Sequence, residues 1–164
     1  MPSMTDVWTD GSDTPAADQP VLHEVPFMLA YGDCDPAGIV YYATYYRWFE
    51  RVYTEWTLLG GFPTPRMHEV LGATHVTVAS GCSYLVPGRL HDRFLVRVRL
   101  DRVGTTSLSL AFSVDHETEE RAYAKGTMTL VFVDQRDVDS DERPRPVPVP
   151  EGMKRALRDA GCVF

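Results

Sequence analysis

Asp33, Cys34 and Asp35 stand side by side in the stretch Tyr31-Gly32-Asp33-Cys34-Asp35-Pro36-Ala37-Gly38-Ile39-Val40-Tyr41-Tyr42. Two carboxylates and a thiol in one turn can supply a general base, a nucleophile or a cap. Pro36 and Gly38 punctuate that turn. Beyond it, apolar residues fall at 41, 45, 48, 49, 52, 53, 56 and 59, a spacing that predicts a helix over 41–59. The first N–H groups of a helix have no intrahelical partner, and the helix dipole adds partial positive charge there. Backbone amides around Tyr41 and Tyr42 would therefore stabilise an oxygen that turns negative during a reaction. A carboxylate beside such amides suits a hydrolase. The same residue types have an ordinary use: Asp commonly caps a helix start, and Asp-Pro and Pro-Ala-Gly are turn chemistry. Residue type leaves both readings open. Cys34 ranks below the carboxylates as a nucleophile, because no His follows within the motif to activate it. The Asp-x-Asp pair lacks the ligand spacing of a calcium loop, so neither a metal nor a cofactor is expected.

Gly32-Asp33-Cys34-Asp35-Pro36-Ala37-Gly38-Ile39-Val40, followed by Tyr41-Tyr42, Tyr45, Arg47 and Trp48, resembles the signature of the 4-hydroxybenzoyl-CoA thioesterase family of hotdog-fold proteins. Lys125-Gly126-Thr127 with Leu130-Val131-Phe132-Val133-Asp134, and then Pro146-Val147-Pro148-Val149-Pro150, resemble that family's last strand and its exit. The resemblance runs from His23 to Leu157, more loosely in the middle. It implies an α+β hotdog fold, a five-stranded antiparallel sheet wrapped around a long central helix and paired into a homodimer or a homotetramer built as a dimer of dimers. It also implies thioester hydrolysis by the second acidic residue of the motif, Asp35, with the backbone amide at the Tyr42 position as oxyanion donor. Ser107 aligns loosely with a polar residue that lines the family's acyl pocket from the partner subunit. The related enoyl-CoA hydratase signature has a His two residues after the motif proline; Gly38 stands there in this chain, which argues against hydration.

The elements that must position these residues are readable from periodicity. Val25, Phe27, Leu29 and Tyr31 alternate as a strand over 21–31. Gly60-Gly61 stops the helix, and Arg51 and Glu55 are spaced to pair on its wet face. Residues 62–72 form a loop with one helical turn near 67–71. Strands follow over 73–86, with a bulge near Gly81, and over 93–102, 106–114 and 121–133. In the second of these, Phe94, Val96, Val98 and Leu100 face one way, with Leu95, Arg97 and Arg99 facing the other. Short polar turns between strands favour an antiparallel sheet, whose apolar face needs the 41–59 helix as its cover. Residues 135–145 read as charged and flexible, 144–150 as an extended proline run, and 151–160 as a short helix.

Composition narrows the function further. The length suits one domain, taken as residues 21–164 behind a disordered tail over 1–20 that carries Asp6, Asp10, Asp13, Asp18 and a lone Trp8. A formal net charge of −7 gives no reason to expect nucleic acid or an anionic membrane as partner. No apolar run is long enough to span a bilayer, and the start lacks the order of a signal peptide. Three cysteines without paired spacing point to a reducing cytoplasm. The substrate that the family resemblance implies is an acyl-CoA, with an aroyl-CoA such as 4-hydroxybenzoyl-CoA as one form; a carrier-protein thioester and a non-catalytic acyl-CoA-binding protein are the alternatives. Asp35 would activate water or attack the carbonyl itself. His68 and Glu69 are weaker candidates for lining the acyl pocket in a dimer. Arg97, Arg99 and Arg102, with Arg89, are candidates for the CoA phosphates, since guanidinium matches phosphate geometry.

Overall fold

The computed structural model describes residues 16–138 and 143–164. Trp8 and the tail as far as residue 15 lie outside them. Strand β1 (Val21–Met28) is followed by helix α1 (Thr44–Leu59), the short helix α2 (Met67–Leu71), and strands β2 (Thr74–Tyr84), β3 (Arg93–Val103), β4 (Ser107–His116) and β5 (Ala122–Val133). The strands make one antiparallel sheet in the order β1-β3-β4-β5-β2. Two further helices, α3 (Gln135–Val138) and α4 (Glu151–Asp159), follow the sheet.

Alternation decides which face of the sheet closes. Phe94, Val96, Val98 and Leu100 of β3 are fully buried, as are Leu108, Leu110 and Val114 of β4. Arg97 and Arg99 lie on the opposite face, only partly covered. Against the buried face α1 sets Tyr45, Trp48, Phe49, Val52, Tyr53 and Trp56. Its rings reach all five strands. Trp48 lies 5.3 Å from Phe27 of β1 and 5.5 Å from Phe94 of β3, and Phe49 stacks on Phe112 of β4 at 4.7 Å. Tyr53 meets His75, and Tyr45 meets Tyr84, both on β2. Gly126 of β5 makes room for this helix: a Cβ there would collide with the Phe49 ring. The large area that each aromatic buries makes this ring layer a main source of cohesion.

Several sequence-based boundaries shift, each for a local reason. The first strand stops at Met28 because Asp33 turns back on Ala30, and Tyr31–Asp33 becomes a 3-10 turn. The long helix starts at Thr44 rather than Tyr41, since the Tyr41 amide is bonded to the Asp33 carbonyl. Tyr41 and Leu59 are exposed rather than part of the buried stripe. The bulge in β2 falls at Val78, between Thr77 and Ala79, and pairing runs unbroken through Gly81. Arg51 and Glu55 do pair, at 2.9 Å. Residues 135–138 form a helical turn where flexibility was expected; residues 139–142 lie outside the described set. The proline run is extended and tied down, Val147 N–H donating to Phe132 and Val149 N–H to Thr105. Gln19, assigned to the tail by composition, is buried and exchanges hydrogen bonds with Val163.

Candidate functional site

The loop between β1 and α1 is a small hairpin. Tyr41 N–H donates to the Asp33 carbonyl at 2.8 Å, Cys34 pairs with Val40, and Asp35 N–H donates to Ile39 at 2.9 Å. Gly38, at φ +74°, turns the chain between the two sides and returns its N–H to the Asp35 carbonyl at 2.9 Å. A side chain at that φ would be strained.

This hairpin separates the three candidate reactive groups. Asp33 Oδ2 accepts the Ala30 N–H at 3.1 Å, while its carbonyl takes the Tyr41 amide; Asp33 is scaffold. Cys34 Sγ–H points at the Ala30 carbonyl, 3.6 Å away, so no base takes its proton. Asp35 Oδ1 accepts the Ala37 N–H at 2.8 Å, the Asx-turn use that its residue type suggested. Its Oδ2 accepts no hydrogen bond among the described residues, and the side chain is half-buried rather than sealed. One carboxylate oxygen therefore holds the turn while the other is available.

The connector to α1 separates the two candidate amides. Tyr41 N–H is spent on Asp33, so Tyr41 is removed as an oxyanion donor. The Tyr41 carbonyl is drawn towards the helix by Thr44 N–H at 2.8 Å. In a planar trans peptide the N–H points opposite to the C=O, so the Tyr42 N–H points away from the helix. It has no partner among the described residues. Two rungs of hairpin separate this connector from Asp35, about 7 Å of strand rise.

A second loop, which the sequence marked only as a break at Pro87-Gly88, buttresses the hairpin. Val40 N–H donates to Gly88, Ile39 pairs with Arg89, and across the base of the loop His91 N–H donates to the Leu29 carbonyl while Leu29 N–H donates to the Asp92 carbonyl. His91 adopts φ 74°, a conformation that only a few per cent of non-glycine residues take. Tyrosines surround the unpaired amide. Tyr84 Oη–H donates to the Tyr42 carbonyl at 3.4 Å, and its ring lies 5.3 Å from Tyr45. Burial pushes Tyr45 up to about 12 and the Cys82 thiol up to about 11, so both stay protonated at neutral pH. No part of the sequence reading pointed to Tyr84 or His91. The only signal was their position flanking Pro87-Gly88.

The remaining candidates lie elsewhere in the protomer. Ser107 opens β4 and pairs with Val131, whereas the Asp35 hairpin sits by the Phe94–His116 end. Nine strand steps separate those ends, about 30 Å. His68 and Glu69 are on α2, next to the start of β2 and hence at the Ser107 end; Glu69 is held by Arg66 at 2.7 Å. Arg97 is engaged by Glu24 and Asp115, both at 3.0 Å, and Arg99 reaches Ser113 at 3.4 Å. Arg102 is exposed on β3 towards the Ser107 end. Arg89 pairs through its backbone with Ile39 beside the hairpin. Only Asp35, Tyr41 and Tyr42, with Arg89 nearby, come together in one chain. A groove of about 730 Å³ runs from Asp33 along the outer side of α1 to Glu55 and omits Asp35 and Tyr42. On the hairpin of a single chain Pro36, Ala37 and Gly38 are exposed, and Asp35 is half-buried. Among the described residues no three His, Cys, Asp or Glu side chains gather as a metal site, and no helix is long and apolar enough to cross a membrane.

This architecture recurs in solved structures. A protein of Pseudomonas aeruginosa PAO1, PA5185, superposes with a TM-score of 0.71 at 26% identity, covering 89% of this chain and 95% of that one. A 1,4-dihydroxy-2-naphthoyl-CoA thioesterase from Synechocystis gives a TM-score of 0.73 at 15% identity, over 86% and 98% of the two chains. A 4-hydroxybenzoyl CoA thioesterase mutant, solved with 4-hydroxybenzoyl CoA, gives 0.70 at 21% identity over 82% and 96%. No curated protein sequence matches the chain significantly. The family model of the thioesterase-like superfamily matches residues 29–157. That span takes in the hairpin, the helix and the whole sheet except β1, and the chain belongs to the thioesterase-like superfamily, a family of thioester hydrolases.

Proposed function

We propose that the protein hydrolyses an acyl-CoA thioester to the free acid and CoA, with Asp35 as the reactive carboxylate and the Tyr42 amide as oxyanion donor. The observation that carries this is the spare Oδ2 of Asp35 on the same hairpin as an unpaired, outward-pointing N–H. Asp35 takes a proton from water, the water oxygen adds to the thioester carbonyl, and the Tyr42 N–H meets the oxygen that becomes negative. Collapse of the adduct breaks the C–S bond, and the thiolate leaves with the proton. Direct attack by Asp35 through an anhydride gives the same products. Two of the solved relatives act on hydroxylated aromatic CoA thioesters by name, which favours an aroyl group here.

The reading includes a second copy of the chain. Asp35 is half-buried at the surface, and the Ser107 end of the sheet is about 30 Å away in the same protomer. Pairing two chains antiparallel along β2 would set the Thr74 end of one against the Tyr84 end of the other. The partner's Ser107, His68 and Glu69 would then approach the first chain's hairpin. A homodimer, or a dimer of dimers, follows from that pairing.

Asp35→Asn tests the assignment. With a panel of acyl-CoA thioesters and a thiol-trapping reagent, kcat is expected to fall about 100-fold or more while the melting temperature stays near that of the wild type. A variant that keeps most of its activity would remove Asp35 from the chemistry.

A further inference from the structure

Tyr42 sits between two peptide planes. The plane before it is fixed through the Tyr41 carbonyl, which accepts Thr44 N–H at 2.8 Å. The plane after it carries the Tyr42 carbonyl, and the group that meets this carbonyl is the hydroxyl of Tyr84, at 3.4 Å. Tyr84 is far away in sequence, the last residue of β2, where it pairs with Ala124 of β5. Its ring rests on Tyr45, in the first turn of α1, with centroids 5.3 Å apart. Burial is the main cause that raises the Tyr84 pKa. The hydroxyl is therefore a standing donor, and the side chain is braced on two sides.

We propose that Tyr84 is a positioning residue for the oxyanion site: its hydroxyl holds the Tyr42 carbonyl, so that the chain is tied on both sides of Tyr42 and its N–H keeps the direction that the preceding peptide plane gives it. This rests on the thioesterase reading above and adds a group that does not touch substrate. With both adjoining planes pinned, Tyr42 cannot rotate about φ or ψ without breaking a hydrogen bond. Oxyanion stabilisation depends on a donor already aimed at the charge before it forms. Small misplacements are costly in such a site. Because Tyr84 ends the edge strand of the sheet, it also links the amide to whatever packs against β2.

Tyr84→Phe removes the donor and keeps the ring on Tyr45. Its kcat on the best acyl-CoA of the panel is expected to fall about tenfold, a fraction of the loss on deleting an oxyanion donor outright. KM is expected to stay within about twofold, since ground-state binding is untouched, and the melting temperature is expected to stay near the wild-type value. A structural role alone would lower the melting temperature without this split between kcat and KM. A second measurement is independent of turnover: ¹⁵N-tyrosine spectra of the wild type and the variant. The Tyr42 amide is expected to broaden or exchange faster in the variant, while the Tyr53 and Tyr123 amides stay as they were. Unchanged kcat, or an unchanged Tyr42 amide, overturns the proposal. If the wild type cleaves none of the thioesters, the thioesterase reading fails by itself and the amide spectra alone judge Tyr84.

Discussion

His75 shows how a single buried ring sets a pH limit on this protein. Its Nε2 lies 2.6 Å from the Tyr53 hydroxyl, and its Nδ1 is buried without a partner among the described residues. With Tyr53 donating, one polar hydrogen is orphaned; with His75 donating, two polar groups lose their partners. The neutral ring accepting from Tyr53 is thus the better state. Burial lowers the His75 pKa to about 4, below its value of about 6.5 in an unfolded chain. The unfolded state then binds a proton first as the solution is acidified. The contribution of His75 is fully present above about pH 6.5 and is lost as pH falls to about 4, by roughly 3 kcal/mol. Denaturant unfolding across that range is expected to show a weaker pH slope in His75→Gln, which can still accept from Tyr53, than in the wild type. An identical slope would mean that the ring is not held neutral. The two aspartates of the hairpin divide in the same residue-level way. Asp33→Ala removes the acceptor for Ala30 N–H and is expected to cost about 1 kcal/mol of stability. Calorimetry and kinetics of this variant should show a lower melting temperature with little change in kcat, the reverse of Asp35→Asn.

At the scale of elements, the sequence was clear wherever one face had to be buried. The alternation in β3 and β4 fixed which residues face α1, because a register slip would turn Phe94, Val96, Val98 and Leu100 to water. The stripe on α1 was legible for the same reason. What stayed hidden was set by partners distant in the chain. The helix begins three residues late because Asp33 claims the Tyr41 amide, and no periodicity reports a hydrogen bond across a hairpin. The β2 bulge went to Val78 rather than to the glycine at 81. Gly81 instead stays in register, and the glycine with a packing role is Gly126, beneath Phe49. Gly126→Ala is expected to cost about 1–3 kcal/mol by overpacking. In a Phe49→Leu background, where the colliding ring is absent, the same change is expected to cost much less. A double-mutant cycle measured by denaturant unfolding checks this; additive costs would place the strain elsewhere. The proposed site divides along the same line: Asp35 and Tyr42 stand in one stretch of chain that the sequence singles out, whereas Tyr84 reaches Tyr42 only through the fold.

For the whole molecule, the two edges of the sheet differ in a way that favours self-association. β1 carries Pro26 and Glu24, both of which discourage strand addition. β2, at the other edge, runs for 11 residues without Lys, Arg, Asp or Glu. Val78 near its centre is 57% exposed, with Tyr84 and Leu85 exposed beyond it. Such an edge is a template for another strand unless something covers it. A second β2, antiparallel across a two-fold axis, satisfies it with an isologous contact. It also brings the distant Ser107 end of one chain to the hairpin of the other, which no motion within a chain of this topology can do. Near the middle of the strand, Val78 would lie close to its own copy across the axis of the proposed pairing. Val78→Asp therefore places two like charges together at the contact, where opposed like charges are destabilising. Light scattering after gel filtration is expected to show a dimer or tetramer for the wild type and a shift to monomer for the variant. Turnover is expected to fall about tenfold or more as the composite pocket opens, although Val78 is outside the hairpin itself. A monomeric variant with full activity would mean that one chain carries the whole site, and that the β2 edge serves assembly without serving catalysis.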